Sequence, residues 1–171
     1  MNIGEELTGA YLKHIYHCNF VEYNVKDSAV NNGEIDVVGI DISNKKIYFC
    51  EVAIHLTTGL QYKSDKAANT QKIYNKFIRA KEYAEQMYPE YIHIFQIWSP
   101  LVKKSQMQSL QDAVKKLKDE KIDLALKTNK DYAEAINKLK DYAQKQTSAL
   151  ENPAMRILQI LGQLEKIKQK Y

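Results

Sequence analysis

Two carboxylates interrupt apolar stretches of the sequence at positions that suit metal chemistry. Asp36 lies in Gly-Glu-Ile-Asp-Val-Val-Gly, residues 33–39, and Glu51 lies in Ile-Tyr-Phe-Cys-Glu-Val-Ala-Ile-His, residues 47–55. Burying a carboxylate in an apolar strand is costly unless a cation accompanies it. Because a short polar turn separates the two stretches, we expect adjacent antiparallel strands. Asp36 and Glu51 would then form a site for a hard divalent cation.

A histidine close to Glu51 could add a group for proton transfer. Alternation along a strand places Glu51, Ala53 and His55 on one face. His55 could therefore act as a base, because imidazole titrates near neutral pH. The sequence leaves open a second interpretation, in which His55 ends the strand and has no catalytic task.

Charge is distributed unevenly along the chain, whose formal net charge is +4. Residues 1–59 contain four Lys and eight Asp or Glu, whereas residues 60–81 contain six basic residues and one acidic residue. An acidic region followed by a basic one is expected of a protein that places a phosphate backbone beside bound cations. The candidate nucleic-acid-binding residues are Lys63, Lys66, Lys72, Lys76 and Arg79. Residues 101–171, with fifteen basic and nine acidic residues, are better explained as solvated helices.

The elements that must position these residues follow from hydrophobic periodicity. With 171 residues, 44% of them hydrophobic, the chain is long enough for one domain, residues 1–171, with a substantial core. Helical spacing predicts helices at 3–17, 67–87, 104–119, 130–146 and 154–168. Apolar runs predict strands at 19–26, 34–42, 46–55, 91–98 and 121–127, although a continuous helix across 121–127 is nearly as well supported. This order predicts an α/β fold.

Features that would direct the chain to a membrane or to an oxidising compartment do not appear in its sequence. The first residues lack a basic flank followed by an apolar segment, and no apolar run approaches the roughly 18 residues of a membrane-spanning helix. Cys18 and Cys50 do not have the spacing of a metal or redox motif. We therefore expect a cytoplasmic protein with reduced thiols and no membrane partner.

Three segments together resemble the PD-(D/E)xK (restriction endonuclease-like) nuclease superfamily. They are Gly4-Glu5 with Tyr11-Leu12 on the first helix, Gly-Glu-Ile-Asp at 33–36, and Phe-Cys-Glu-Val-Ala at 49–53. The pattern is most similar to the Holliday-junction resolvase and YraN-like branches. The resemblance covers residues 3–98 and implies an αβββαβ core, a mixed central sheet flanked by helices. Residues 101–171 would then be a mainly helical C-terminal extension packed on that core.

The resemblance also implies a set of site residues and a cofactor. Asp36 and Glu51 would be catalytic carboxylates that bind Mg²⁺, with Mn²⁺ as a possible substitute, and the Val52 carbonyl could add a main-chain ligand. Glu5 matches the accessory acid of the family, although it could equally serve only the helix N-terminus. Ala53 occupies the position of the motif lysine, which normally orients the attacking water. His55 or a lysine from elsewhere would have to replace it, and the candidates are Lys63, Lys66 and Lys72.

Two functions remain open at this point. The first is a metal-dependent DNA endonuclease of restriction or repair type that uses Glu5, Asp36 and Glu51. The second is a catalytically inactive nuclease-fold protein that binds nucleic acid or a partner nuclease, which Ala53 favours. A homodimer formed through the C-terminal helices is a further possibility, because cutting both strands of a duplex suits two-fold symmetry.

Overall fold

The computed structural model describes residues 2–27 and 33–168, and within them helices and strands follow in the order that the periodicity predicts. The α/β class is confirmed, with a five-stranded mixed sheet flanked by helices. The helices are α1 (Ile3–His14), α2 (Lys66–Met87), α3 (Lys104–Asp119), α4 (Lys130–Lys145) and α5 (Pro153–Lys168). The strands are β1 (Phe20–Asp27), β2 (Gly33–Asp41), β3 (Lys46–Val52), β4 (Ile92–Ser99) and β5 (Leu124–Thr128).

The sheet combines an antiparallel meander with two parallel strands. Its order is β1-β2-β3-β4-β5, in which β1 to β3 are antiparallel neighbours and β4 and β5 run parallel to β3. The strand predicted at 121–127 is confirmed as β5, so the alternative of a continuous helix is wrong. Because β5 pairs with β4, the C-terminal third of the chain contributes to the sheet as well as to the helical layers.

Hydrophobic clusters cover both faces of the sheet. Phe49 packs with residues of α2 and α3 on one face, including Phe77 and Leu110. Its neighbour Cys50 packs on the other face with Trp98 of β4 and with residues of α1, α4 and α5, including Leu139. Successive residues of β3 therefore enter different clusters, as strand geometry requires. Among the described residues, no helix is long and apolar enough to cross a membrane.

The alternation of faces is inverted at one place in the sheet. Ile35 packs on the α2 face, whereas Val37, two residues later, packs on the opposite face. Val25 and Tyr23, their register partners on β1, change faces in the same way. Asn24, between them, has φ +52°. Residues two apart normally share a face, so both strands are distorted at the level of Asp36.

Candidate active site

The strands β2 and β3 separate at Asp36, and this fork forms the centre of the candidate site. Their pairing runs from Asp41 opposite Lys46 to Val37 opposite Cys50. At the next position Oδ2 of Asp36 accepts a hydrogen bond from the Val52 N–H at 2.7 Å. The side chain therefore satisfies a donor on the edge of β3 that β2 no longer covers.

Glu51 is held in the fork by β3 and covered by α2. Its backbone remains paired with Ile97 of β4. Its Oε1 accepts a hydrogen bond from the Tyr62 hydroxyl at 3.1 Å and is in contact with Nζ of Lys76. The side chains of Glu51 and Lys76 are 8% and 19% exposed, so this is a largely buried ion pair.

Burial and mutual repulsion make the two carboxylates reluctant to ionise. Burial raises the pKa of Glu51 to about 7, Lys76 opposes this rise, and Asp36 adds to it. Burial is also the main cause that raises the pKa of Asp36, against Lys76 and the Val52 N–H, which lower it. A hydrogen bond with Glu51 lowers the Asp36 pKa as well. Two such groups favour a shared proton or an added cation.

Lys76 has a place in the site that the sequence interpretation missed. It was counted among the phosphate-binding residues, whereas Lys63, Lys66 and Lys72 were the candidates to replace the motif lysine. Nζ of Lys76 lies on Glu51 and 5.2 Å from the centre of the Tyr62 ring. The sequence did contain an indication of this position. Lys76 lies three residues after Ile73, which faces the core, so the two side chains are neighbours on the same side of the helix.

Tyr62 is the second residue of the site that sequence reasoning did not identify. The loop between β3 and α2 carries it, and the buried Asn69 side chain holds that loop. Oδ1 of Asn69 accepts from the Tyr62 N–H at 2.8 Å, and its amide donates to the Leu60 carbonyl at 3.4 Å. Burial followed by the charge of Glu51 raises the Tyr62 pKa well above its usual value, so the hydroxyl remains a donor.

Ala53 belongs to the hydrophobic core. It is 2% exposed and joins the cluster that contains Leu60 and Phe77. A lysine on this backbone position would have to pass through that packed layer. The positive charge that contacts Glu51 comes from Lys76 of α2.

Glu5 has the structural task that the sequence left open, and it lies close enough to influence the site. It forms a capping box with Asn2, whose backbone N–H donates to Oε2 of Glu5 at 2.9 Å. Glu5 is 6% exposed, and its charge raises the pKa of Asp36. It is therefore both a helix cap and part of the electrostatic environment of the fork.

His55 lies outside the strand on which its prediction depended. That strand was expected to run to residue 55, but β3 ends at Val52, so alternation does not carry His55 onto the face of Glu51. The His55 side chain is exposed, and its carbonyl accepts from the Gly59 N–H at 2.9 Å. Gly59 closes this turn with φ +73°, a conformation that favours glycine.

The predicted phosphate-binding residues occupy two different surfaces. Lys72 and Arg79 flank Lys76 at four and three residues along α2 and line an open groove of about 320 Å³ on its outer side. Lys63 and Lys66 line a separate cleft of about 170 Å³ against the start of α3. Helical spacing places Lys72 and Arg79 on the same flank of α2 as Lys76, and these three residues are here called the basic ridge.

The donor set of the fork suits a cation that keeps most of its water. No group of three or more His, Cys, Asp or Glu side chains positioned for a metal occurs within residues 2–27 and 33–168. Mg²⁺ commonly binds through one or two carboxylates and retains several waters, so Asp36 and Glu51 are sufficient. A cavity of about 10 Å³ beside Glu51 and Lys76 has room for about one water molecule. Nζ of Lys76 occupies the space at Oε1 of Glu51, so a metal ion with its waters would require Lys76 to move off Glu51.

No protein-family model, curated protein or solved structure matches the chain.

Proposed function

We propose that the protein is a metal-dependent DNA endonuclease of restriction or repair type, with a restriction endonuclease-like core. One observation carries the proposal: Asp36, Glu51 and Lys76 meet at the point where β2 leaves β3. Buried acids with raised pKa values beside a lysine are characteristic of catalytic sites. A purely structural site would be more stable with an apolar residue there, or with a carboxylate whose hydrogen bonds are all made.

Mg²⁺ or Mn²⁺ is the proposed cofactor, held by Asp36 and Glu51. When bound, the metal supplies a Lewis acid for the scissile phosphate and lowers the pKa of a water. The Val52 N–H keeps Asp36 oriented, and the Tyr62 hydroxyl keeps Glu51 oriented. A bound cation would displace the proton that Glu51 retains below a pKa of about 7.

Lys76 is proposed to take over the task that the resemblance gives to residue 53. Once a metal neutralises Glu51, the ammonium group is free to turn toward the phosphate. There it would orient the attacking water and stabilise negative charge that develops in the transition state. Lys72 and Arg79, on the same flank of α2, would hold the flanking phosphates.

One feature of the geometry favours a second candidate, an inactive nuclease-fold protein that binds nucleic acid or a partner nuclease. Oε1 of Glu51 already has two partners, Tyr62 and Lys76. In this candidate Lys76 is a permanent counterion, and the pair stabilises the fold without a metal. The basic ridge would then bind DNA without cutting it.

A cleavage assay separates the two candidates. The purified chain is incubated with supercoiled plasmid, a four-way junction and single-stranded DNA in Mg²⁺, in Mn²⁺ or in EDTA. The matched control is the Asp36→Asn/Glu51→Gln double variant, which keeps the shape of both side chains and controls for contaminating nucleases. We expect cleavage by the wild type in either metal, and none in EDTA or by the control.

A second measurement does not depend on turnover. Mg²⁺ should raise the melting temperature of the wild type and leave that of the double variant unchanged. Absence of both cleavage and a metal-dependent shift, with DNA binding retained in the double variant, would reject the endonuclease and support the inactive candidate.

A further inference from the structure

Helix α5 carries two apolar faces, and the fold uses only one of them. Its buried residues, Ala154, Met155, Leu158 and Gly162, face the rest of the protein, where α5 packs on α4 and α1. A second set of apolar residues, here called the α5 stripe, is 47–52% exposed. The α5 stripe consists of Ile157, Ile160, Leu161, Leu164 and Ile167.

The spacing of the α5 stripe is that of a helix–helix contact. Its members lie at i, i+3, i+4, i+7 and i+10, which places them on one side of the helix over about three turns. Five half-exposed side chains of this size present on the order of 400 Å² of apolar surface, a patch that on a monomer usually marks an interaction site. No element of the described chain covers it.

The border of the α5 stripe favours a protein over a lipid surface as its occupant. On one side Ile160 and Leu164 line a cleft of about 320 Å³ together with four glutamines and Arg156. On the other side Glu165 is neutralised by Lys140, with Nζ 3.0 Å from its carboxylate. A mainly polar rim of glutamines with one arginine, around an apolar centre, is the usual anatomy of a protein interface, whereas a helix that lies on anionic lipid carries many Lys and Arg along its polar face.

We propose that the α5 stripe binds the α5 stripe of a second copy of this chain, with the two helices antiparallel. An apolar row of this kind is self-complementary about a two-fold axis. Lys166 and Lys168 lie together in the last turn, so the antiparallel arrangement separates these charges and aligns the helix dipoles favourably.

The area of the contact determines how strong the dimer can be. Two stripes bury roughly 800 Å², less than the ~1,200 Å² of a standard stable interface. The glutamine cleft adds polar contacts at the rim. The dimer is therefore weak and reversible, and it forms whether or not the protein cuts DNA.

Sedimentation velocity of the full chain from about 1 to 300 µM tests the proposal. We expect a shift from the 19.8 kDa monomer to twice that mass. Leu164→Glu should raise the dissociation constant more than tenfold, because it places a charge in the centre of the contact, and the milder Leu164→Ala should raise it several-fold. Ile42→Glu is the matched control, since Ile42 is 49% exposed in the turn between β2 and β3, and its dissociation constant should equal that of the wild type.

Three results would overturn the proposal. The first is a monomer throughout the concentration range. The second is a dimer whose dissociation constant does not respond to Leu164→Ala, a variant that retains an apolar residue and should fold. The third is a monomer that co-sediments with vesicles of phosphatidylcholine and phosphatidylglycerol through the α5 stripe, which would assign this face to a membrane.

Discussion

The part of β2 that pairs with β3 has a carboxylate at each of its limits, here called the two ends of β2, and the two carboxylates differ in how well the fold satisfies them. At one end Asp41 closes the turn to β3, where its oxygens accept from the Asn44 N–H at 3.0 Å and from the Asn44 side-chain amide at 2.7 Å. These hydrogen bonds lower the pKa of Asp41. At the other end burial raises the pKa values of Asp36 and Glu51.

The difference separates a structural acid from a candidate functional one. The Asp41 carboxylate is stabilised in its ionised form by groups that the turn itself provides. The acids of the fork share one lysine and a few donors, so their ionised forms are poorly stabilised without a further cation. A carboxyl group whose pKa is raised by burial and that lies beside a cation is typical of a site that binds and reacts.

The largest expected effect compares the two aspartates directly. Asp36→Asn should reduce DNA cleavage by about 10³-fold, because it removes a charged metal ligand. Asp41→Asn should lower the melting temperature by a few degrees and leave cleavage per folded molecule unchanged. Cleavage rates at 25 °C and thermal melts of both variants check this. Equal loss of activity in the two variants would remove the functional distinction between the ends of β2.

Lys76 should give the next largest effect. Lys76→Met should slow cleavage by about 10²-fold at saturating DNA, and Lys76→Arg should restore part of the rate, because a positive charge returns to the site. Lys81→Met is the matched control, since Lys81 lies on the same helix and donates to the Glu120 carbonyl instead of to the fork. Single-turnover rates provide the measurement, and equal rates for Lys76→Met and the wild type would return the lysine to a purely structural role.

The pH dependence of stability should have opposite signs at the two ends of β2. Between pH 4.5 and about 7 the folded protein keeps a proton on Glu51 that the unfolded chain releases, so the free energy of unfolding should fall as pH rises. The loss is about 3 kcal/mol by linkage, and Glu51→Gln should abolish it. Stability from Asp41, whose pKa is lowered from 3.8, is present above that pH and is lost as pH falls.

Urea denaturation in EDTA from pH 3 to pH 8 measures both effects. The wild type, Glu51→Gln and Asp41→Asn are compared at each pH. A Glu51→Gln curve parallel to that of the wild type from pH 4.5 to 7 would show that Glu51 is not the titrating group.

The smallest effect concerns which end of β2 faces DNA. Lys72→Met and Arg79→Met should each weaken DNA binding several-fold and reduce the slope of log K against log salt by about 1. Lys45→Met, at the exposed turn end, should leave the slope unchanged. Lys63→Met tests whether DNA also contacts the separate cleft near α3. A reduced slope of log K against log salt in this variant would extend the DNA contact to that cleft.

Local patterns predicted the elements well because each element is specified by residues close together in sequence. The order of helices and strands is as predicted, and Asp36 and Glu51 do lie on adjacent strands because the turn between them is short. The end of β3 was predicted three residues too late. β3 ends where its pairing partners end and the chain enters the turn closed by Gly59, and local apolar character does not show that point.

The assignment of side chains to the site could not be made in the same way. Lys76 is separated from Glu51 by 25 residues, and its contact depends on how α2 is rotated over the sheet. The same holds for α5, where one apolar helix pattern divides into a buried face and the exposed α5 stripe according to where α4 and α1 lie.

The sequence by itself determined the α/β class, the pair of acids and the absence of a lysine at residue 53, because these depend on composition and short-range periodicity. Only the tertiary structure decided that Lys76 and Tyr62 contact Glu51, that His55 lies beyond the end of β3, and that the basic residues divide between two surfaces. These features depend on helix rotation and on the divergence of β2 from β3. Both are set by the packing of many distant residues, which no local pattern in the chain records.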